Sequence, residues 1–392
     1  MDFSLTEDDR AFRRELRAFL DERLPASWKG MFVDDPGVMD FTRSVCRDLA
    51  RRGWLTLSWP EEHGGAGASV WTQTVLREEM WAHDEPRGPQ YMNLNYIGPL
   101  IMRFGTEDQR RRFLPPMARG EVIWCQGFSE PDAGSDLGSL RTRAEERDGA
   151  FVVNGQKIWT SYADAPAQWC LALVRTDPDT DGPAGISVLL VDMASPGITV
   201  RPIPTLAGPH ELNEVFFDDV VVPGDCLLGR REQGWEIVRT GLAFERVGVA
   251  RYARAGFVLD ALVDHARRTM VDGRPLSDDP LVRAKLADLR IRCEAARLVS
   301  YQAIARQAAG AVPLAEAAVA RMHNTVLEQL AGQLALELLG PAGQLTHDDP
   351  SAPLGGLAWR QWVRNIPTTV AAGTLETQKN IVSRALGLPR SA

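Results

Sequence analysis

The stretch WCQGFSEPDAGSD, residues 124–136, is the most informative part of this sequence of 392 residues. Pro131 to Gly134 predict a tight turn, and the hydroxyls of Ser129 and Ser135 flank it. A turn of this kind presents backbone N–H groups and hydroxyls to a polar ligand. The same composition also fits an ordinary surface loop. The stretch alone therefore does not distinguish a ligand-binding turn from a surface loop, and the sequence on either side of it has to be considered.

The residues before this stretch predict helices. Thr6 and Asp9 have the spacing of a capping box. Apolar residues then recur at steps of three and four between residues 12 and 24, as on one face of an amphipathic helix. Further helical pattern continues to about Phe113, where we expect Pro115-Pro116 to break it.

The residues after it predict a β domain. Asn154-Gly155 lies between two runs rich in β-forming residues, which predicts a hairpin turn there. Prolines and glycines separate further candidate strands at intervals typical of an antiparallel barrel or sandwich. Those strands are predicted at 170–174, 186–192, 198–203 and 215–222.

The pattern becomes helical again after Gly234. One periodic segment reaches about Arg268, and Asp279-Pro280 and Pro313 each open a further helix. We therefore expect an α+β fold that is mostly α, in three domains. These are an N-terminal α-helical domain (1–120), a middle antiparallel β-barrel or sandwich domain (121–230) and a C-terminal helical bundle (231–392).

Composition excludes several classes of protein. With 44 Lys and Arg against 52 Asp and Glu, the net charge is −8, which disfavours binding to nucleic acid. The five cysteines form no Cys-x-x-Cys pair, as in a reduced protein. The first residues are acidic, and the longest apolar run, near 186–191, is far too short to cross a bilayer. We expect a cytoplasmic protein that binds no membrane.

Common cofactor and metal motifs are missing from the sequence. No Gly-x-Gly-x-x-Gly, P-loop or Gly-x-Ser-x-Gly motif occurs, which disfavours a Rossmann, P-loop or nucleophile-elbow site. The six histidines lie apart and none has the spacing of a zinc motif, so no metal site is expected.

The stretch from residue 124 resembles the flavin-binding signature of acyl-CoA dehydrogenases, and further stretches resemble that family in the same order. The resemblance covers essentially the whole chain and implies FAD, held extended between the β domain and a C-terminal four-helix bundle. The matching stretches are WPEEHGGAG (59–67), KIWTS (157–161), NEVFF (213–217) with Val222-Pro223, GTLETQ (373–378) and ALGLPR (385–390).

The resemblance assigns cofactor contacts in the β domain. Gln126, Phe128 and Ser129 would meet the flavin ring. Ser135 would reach the FAD pyrophosphate or the acyl-CoA. In the second motif, Trp159 would cover the isoalloxazine ring, and Thr160 and Ser161 belong to the same binding segment, with Ser161 near flavin N5.

Further cofactor contacts are expected in the C-terminal part. Arg268 would contact the FAD of a neighbouring subunit, although the aromatic residue that usually follows is absent. Gly340 lies in a stretch that departs from the family pattern, with Glu337 in place of the usual glutamine. Thr374 and Glu376 match the final FAD-binding motif.

The catalytic base is expected on a helix. Many family members carry a glutamate before the C-terminal Gly-Thr, where this chain has Ala372 followed by Gly373. A subset similar to isovaleryl- and long-chain acyl-CoA dehydrogenases carries the base on the first long helix after the β domain, in a pattern matched here by Phe244-Glu245-Arg246. The resemblance therefore assigns catalysis to Glu245. It assigns substrate contacts to Ser135, Phe244, Arg246, Ala372 and Gly373.

The implied reaction is FAD-dependent α,β-dehydrogenation of an acyl-CoA, with electrons passed to an electron-transfer flavoprotein. The protein would form a homo- or hetero-oligomer, a dimer or tetramer. Two alternatives remain: a non-catalytic or FAD-sharing subunit of a heteromeric acyl-CoA dehydrogenase, and a flavin monooxygenase on the same fold. The retained Ser129, Trp159, Ser161 and Glu245 disfavour the silent subunit, and Glu245 disfavours the monooxygenase.

Overall fold

The computed structural model of the chain describes residues 3, 5–33, 35, 37–164, 167–248 and 250–388, without the side chains of 209, 210 and 243–248. The helices are α1 Glu7–Arg23, α2 Val38–Arg51, α3 Val70–Ala82, α4 Gln90–Met92, α5 Gly98–Phe104, α6 Glu107–Ala118, α7 Gly234–Gly248, α8 Arg251–Arg268, α9 Pro280–Ala308, α10 Leu314–Leu339, α11 Leu357–Asn365 and α12 Leu375–Ala385. The strands are β1 Trp124–Gly127, β2 Arg143–Arg147, β3 Ala150–Ser161, β4 Trp169–Arg175, β5 Ile186–Asp192, β6 Ile198–Thr205, β7 Gly208–Pro223, β8 Leu227–Leu228, β9 Met270–Val271 and β10 Arg274–Pro275.

The chain forms two compact units that are not continuous in sequence. One unit comprises residues 1–30, 69–86 and 246–392, and the other comprises 31–68 and 87–245. Of the described helices, none is both long enough and apolar enough to cross a membrane.

The first unit is helical and is built around α10, which packs against α8, α9, α11 and α12. Helix α1 begins with the predicted capping box, because Thr6 Oγ1 accepts the Asp9 N–H and Asp9 accepts the Thr6 N–H. Its apolar face, including Leu16 and Leu20, is buried against α3. Helix α9 begins at Pro280 as the sequence predicts, and Asp279 is its N-cap.

The single helical segment that the sequence predicts up to Arg268 is interrupted. Helix α7 ends at Gly248 and α8 begins at Arg251, after Ala250 with a ψ of 61°. Two arginines in the first turn of α8 reach a buried carboxylate on α10: Arg251 lies 2.6 Å and Arg254 3.6 Å from Glu328. These ion pairs fix the start of α8 against the central helix.

The second unit contains a sheet with the strand order β6-β7-β3-β2-β4-β5-β8, and β1 pairs with β4. Most neighbours are antiparallel, as expected, but β1 runs parallel to β4 and β2 meets β4 in parallel. The sheet is therefore mixed, which corrects the purely antiparallel expectation.

The hairpin predicted at Asn154-Gly155 is wrong. Both residues lie inside the continuous strand β3, at an irregularity in its pairing with β7. The turn lies instead at Asp148-Gly149, between β2 and β3, where both residues have positive φ (49° and 77°). Asp-Gly suits such a two-residue turn as well as Asn-Gly does. At Gly155 the glycine serves a different purpose, because a Cβ there would lie 2.5 Å from Thr142 Oγ1.

The expected break at Pro115-Pro116 is also wrong by several residues. Helix α6 continues through both prolines to Ala118. The prolines lie in its last turn, so they remove the two N–H donors to the carbonyls of residues 111 and 112, and the helix ends two residues later.

Candidate functional site

The first candidate segment follows the short strand β1. Gln126 belongs to that strand and is half-buried, and its Oε1 atom is buried with no hydrogen-bond partner among the described residues. Phe128 is buried, and Ser129 is half-buried. These three residues therefore offer an unsatisfied amide oxygen, an apolar ring and a hydroxyl along one stretch of backbone.

The predicted turn follows directly. Glu130 and Ala133 each donate their N–H to the other's carbonyl at 3.0 Å. Ser135 lies just beyond the turn and is exposed. The turn thus has the local geometry that the sequence predicts.

A buried ion pair joins this segment to the second one. The Lys157 ammonium is 0% exposed and donates to Glu130 Oε1 at 2.8 Å and to the Phe128 carbonyl at 3.1 Å. The Ile158 N–H donates to the Ser129 carbonyl at 2.9 Å. The residues around 128–130 and 157–158 are therefore held side by side in one unit.

The electrostatics of this pair fit a structural role. Burial would raise the pKa of Glu130, but the charge of Lys157 and hydrogen bonds from Lys157, Thr142 and Arg141 outweigh it and lower that pKa. Burial lowers the pKa of Lys157 below its ordinary value, and the attraction to Glu130 opposes this shift only in part. Sequence reasoning assigned no role to either residue, although both lie in matched motifs.

Trp159, Thr160 and Ser161 end strand β3 and alternate across it. The Trp159 indole is 56% exposed, and its backbone adopts a positive φ of 61° that a non-glycine residue rarely takes. Thr160 is 0% exposed, so its side chain faces the interior, and no described residue forms a hydrogen bond with its Oγ1. Ser161 is half-buried. Of the three residues, Trp159 and Ser161 present side chains that a ligand can reach.

These residues fit a flavin. An isoalloxazine ring needs an aromatic or apolar surface for its face and hydrogen-bonding groups for its polar edge. The exposed indole and the Phe128 ring are of the first kind, and Gln126, Ser129 and Ser161 are of the second. Among the described residues, no group of three or more His, Cys, Asp or Glu side chains is arranged as metal ligands are.

The other predicted cofactor residues lie in the helical unit. Arg268 is exposed at the end of α8. Gly340 follows α10 with φ 58° and ψ −146°, a conformation open essentially to glycine alone. Thr374 caps α12 by accepting the Thr377 N–H at 3.2 Å, and Glu376 is exposed in the first turn of that helix.

The loop before α12 carries Ala372 and Gly373, both half-buried and both with positive φ, 54° and 92°. Its carbonyls point at two buried side chains. Arg321 donates to the carbonyls of Thr368 and Ala371 at 2.8 Å each. Gln378 donates to those of Ala372 and Gly373 at 3.3 and 3.1 Å. Sequence reasoning missed Arg321 altogether and gave Gln378 no role.

The predicted base and two substrate contacts fall where side chains are not described. The backbone of Phe244, Glu245 and Arg246 is part of α7. Their side chains lie outside the described part of the chain. The structure thus brings residues 126–129 together with 157–161 in one unit, and collects 372–376 around one loop in the other.

Family models match nearly the whole chain. The N-terminal domain of acyl-CoA dehydrogenase matches residues 6–121, the middle domain matches 125–220 and the C-terminal domain matches 232–387.

Individual proteins agree with these models. The chain is 36% identical to acyl-CoA dehydrogenase IpdE1 of Mycobacterium tuberculosis, over 98% of this chain and 99% of that protein. It also resembles a solved ChsE4-ChsE5 complex from Mycobacterium tuberculosis (TM-score 0.88, 33% identity, all of both chains). A third relative is a Tcur3481-Tcur3483 steroid acyl-CoA dehydrogenase (TM-score 0.89, 30% identity, all of both chains). With family models for its N-terminal, middle and C-terminal parts matched in order, this chain belongs to the acyl-CoA dehydrogenase family of FAD-dependent enzymes.

Proposed function

We propose that this chain removes hydrogen from Cα and Cβ of an acyl-CoA thioester to give the 2-enoyl-CoA, with Glu245 as the base. One observation carries the assignment of the base. The loop that holds a glutamate in many relatives has Ala372 at that position, and a methyl group cannot accept a proton. Glu245 lies in the helical backbone of α7, where a subset of the family places its base.

The residues of the chain would divide the reaction between them. FAD, when bound, supplies the acceptor for the β-hydrogen, which leaves as hydride. The Glu245 carboxylate takes the α-proton, and the backbone N–H of Ala372 holds the thioester oxygen as negative charge develops on it. Trp159 and Phe128 cover the cofactor and keep water from it, while Gln126, Ser129 and Ser161 orient its polar edge.

Contacts at the ends of the ligands extend this proposal. Ser135, exposed beyond its turn, would bind a phosphate oxygen of FAD or of the acyl-CoA. Phe244 and Arg246 flank the base in sequence and would contact substrate, while Thr374 and Glu376 would contact FAD. We propose an electron-transfer flavoprotein as the acceptor of the electrons.

The test is anaerobic reduction of the purified yellow protein by a panel of straight, branched, aromatic and steroidal acyl-CoAs. At least one of them should bleach the flavin absorbance. The steroidal compounds are included because one structural relative is a steroid acyl-CoA dehydrogenase. Glu245→Gln should keep the yellow colour and lose bleaching by several orders of magnitude. Bleaching of that variant at the wild-type rate would contradict the assignment of the base.

A second candidate is a catalytic subunit that shares FAD with a different partner chain. The support for it is the solved two-chain complex among the relatives, together with Glu337 in the stretch expected to meet a partner's cofactor. In this structure Glu337 forms an ion pair with Lys285, which links α10 to α9. Arg268 and Gly340 would then face the FAD of the partner. Mass measurement under native conditions distinguishes a homo-oligomer from a chain that binds FAD only after a partner is added.

A further inference from the structure

We propose that Arg321 and Gln378 are positioning residues that aim two backbone N–H groups, those of Ala372 and Gly373, at the thioester oxygen of the substrate. This inference rests on the proposed function and assigns how its oxyanion site is built.

The first step concerns the direction of the carbonyls. Three consecutive ones, at residues 371, 372 and 373, are turned toward the interior of the helical unit. The guanidinium of Arg321, on α10, donates a hydrogen bond to the first carbonyl. The side-chain amide of Gln378, on α12, donates to the other two. Arg321 is 5% exposed and Gln378 is 0% exposed, so water cannot easily replace either donor.

The second step follows from peptide geometry. In a planar trans peptide, the C=O of one residue and the N–H of the next point in opposite directions. If the Ala371 and Ala372 carbonyls point at Arg321 and Gln378, the N–H groups of Ala372 and Gly373 point away from them. Within the described residues, neither N–H has an acceptor. Both residues are half-buried, so the two donors are reachable and are partly shielded from water.

The third step is the backbone conformation. Two successive residues with positive φ, one of them an alanine, cost conformational energy that the surrounding contacts have to offset. Arg321 holds Thr368 and Ala371 with one nitrogen, and Gln378 holds the next two carbonyls with another. These bonds fix the loop in a shape that it would not keep unaided. Backbone N–H groups that are fixed in direction and lack an internal acceptor are the kind of donor that stabilises a developing oxyanion.

The experiment compares an acyl-CoA thioester with the S-alkyl-CoA thioether of the same chain length, which has no carbonyl oxygen. Wild-type protein should bind the thioester more tightly. In Gln378→Leu this preference should fall by roughly tenfold, and kcat should fall by about 10- to 100-fold. The reason is that the N–H groups are no longer held in a fixed direction. The affinity for the thioether should change little, since it makes no such hydrogen bond.

Two further variants make the result specific. Arg321→Lys keeps the charge but replaces the rigid, planar guanidinium with an ammonium on a flexible stem, so the two carbonyls are held less firmly and the same loss should appear in a milder form. It also provides the test if Gln378→Leu does not fold. Gln361→Leu is the matched control: Gln361 is a buried glutamine of the same unit that bonds to Arg254 and Asp84 instead of the loop. It should lower stability without changing the preference.

The outcomes separate this inference from the proposed function. If acyl-CoA reduces the wild-type flavin but the variants at 378 and 321 keep the full thioester preference, the positioning role is wrong. An equal loss of thioester and thioether affinity also contradicts it, because that pattern indicates general damage to the site. If no acyl-CoA reduces the wild-type flavin, the proposed function itself fails.

Discussion

Trp159 combines two features that are costly on their own, an indole 56% exposed and a positive φ of 61°. Left-handed backbone costs a non-glycine residue roughly 1–2 kcal/mol. We therefore expect Trp159→Gly to change the free energy of unfolding of the FAD-free protein by less than about 1 kcal/mol, since the strain it relieves offsets the freedom that glycine gives to the unfolded chain. The same variant should bind FAD roughly tenfold more weakly, because the aromatic surface is lost.

Trp159→Phe is the control, since it keeps an aromatic ring and the strained backbone. It should retain most of the FAD affinity. Calorimetric titration with FAD and urea unfolding of the FAD-free protein measure the two quantities separately. Unchanged FAD affinity in Trp159→Gly would show that the indole does not contact the cofactor.

The role of a single residue could be predicted where the residue lies in a recognisable motif. It could not be predicted where the role depends only on tertiary contacts. Ser129 and Trp159 stand in recognisable motifs, and the structure places their segments side by side. Arg321 lies in the first third of α10, in an alanine-rich stretch with no motif around it. Its role depends on a loop 47 to 50 residues further along the chain, and no local pattern reports that contact.

At the scale of elements, two glycines near each other in β3 and its turn serve different purposes. Gly149 has φ +77° and open space where a Cβ would lie, so Gly149→Ala should cost only about 1 kcal/mol of backbone strain. At Gly155, an added Cβ would lie 2.5 Å from Thr142 Oγ1 and 2.7 Å from Thr142 Cα. Gly155→Ala should therefore cost about 2 kcal/mol or more, because backbone has to move. Urea unfolding of both variants tests the difference, and equal costs would contradict it.

The same pair explains why the hairpin was misplaced. Asn154-Gly155 and Asp148-Gly149 carry equivalent turn signals. The run RAEER before Asp148 is poor in strand-forming residues, whereas both sides of Asn154-Gly155 are rich in them, so the sequence pattern favours the wrong pair. What distinguishes them is the close approach of Thr142 to Gly155, which is a tertiary contact. The helical elements were easier to predict because capping residues such as Thr6 and Asp279 form hydrogen bonds with backbone N–H groups only two or three residues away.

At the scale of the molecule, the chain forms two compact units whose segments interleave along the sequence. Residues 69–86 belong with α8 and α9, although they lie within the first 120 residues. Domain boundaries predicted from composition follow the order of the sequence, so they cannot reveal units that combine distant segments. The three-domain division at 120 and 230 therefore stays a prediction, as does the cytoplasmic location.

Buried carboxylates in the helical unit predict how the stability of the molecule depends on pH. Burial would raise the pKa of Glu328, but the charges of Arg251 and Arg254 outweigh it and hold the pKa below its ordinary value of 4.5. In the pH range between the folded and unfolded pKa values, the unfolded chain binds more protons than the folded chain. The stabilisation is therefore complete above about pH 4.5 and is lost as the pH falls through the lower, folded pKa.

Glu328→Gln tests this dependence. The variant should lose roughly 3 kcal/mol at pH 7, because the buried Arg254 and the partly exposed Arg251 lose the charge of this carboxylate. Its free energy of unfolding should then fall less steeply than that of the wild type when the pH is lowered below 4.5, since one titrating group has been removed. Glu15→Gln, at an exposed position on α1, is the control and should keep the wild-type slope. Urea unfolding at a series of pH values provides the slopes. If Glu328→Gln and the wild type lose stability in parallel on acidification, Glu328 does not carry this part of the acid sensitivity, and other carboxylates must account for it.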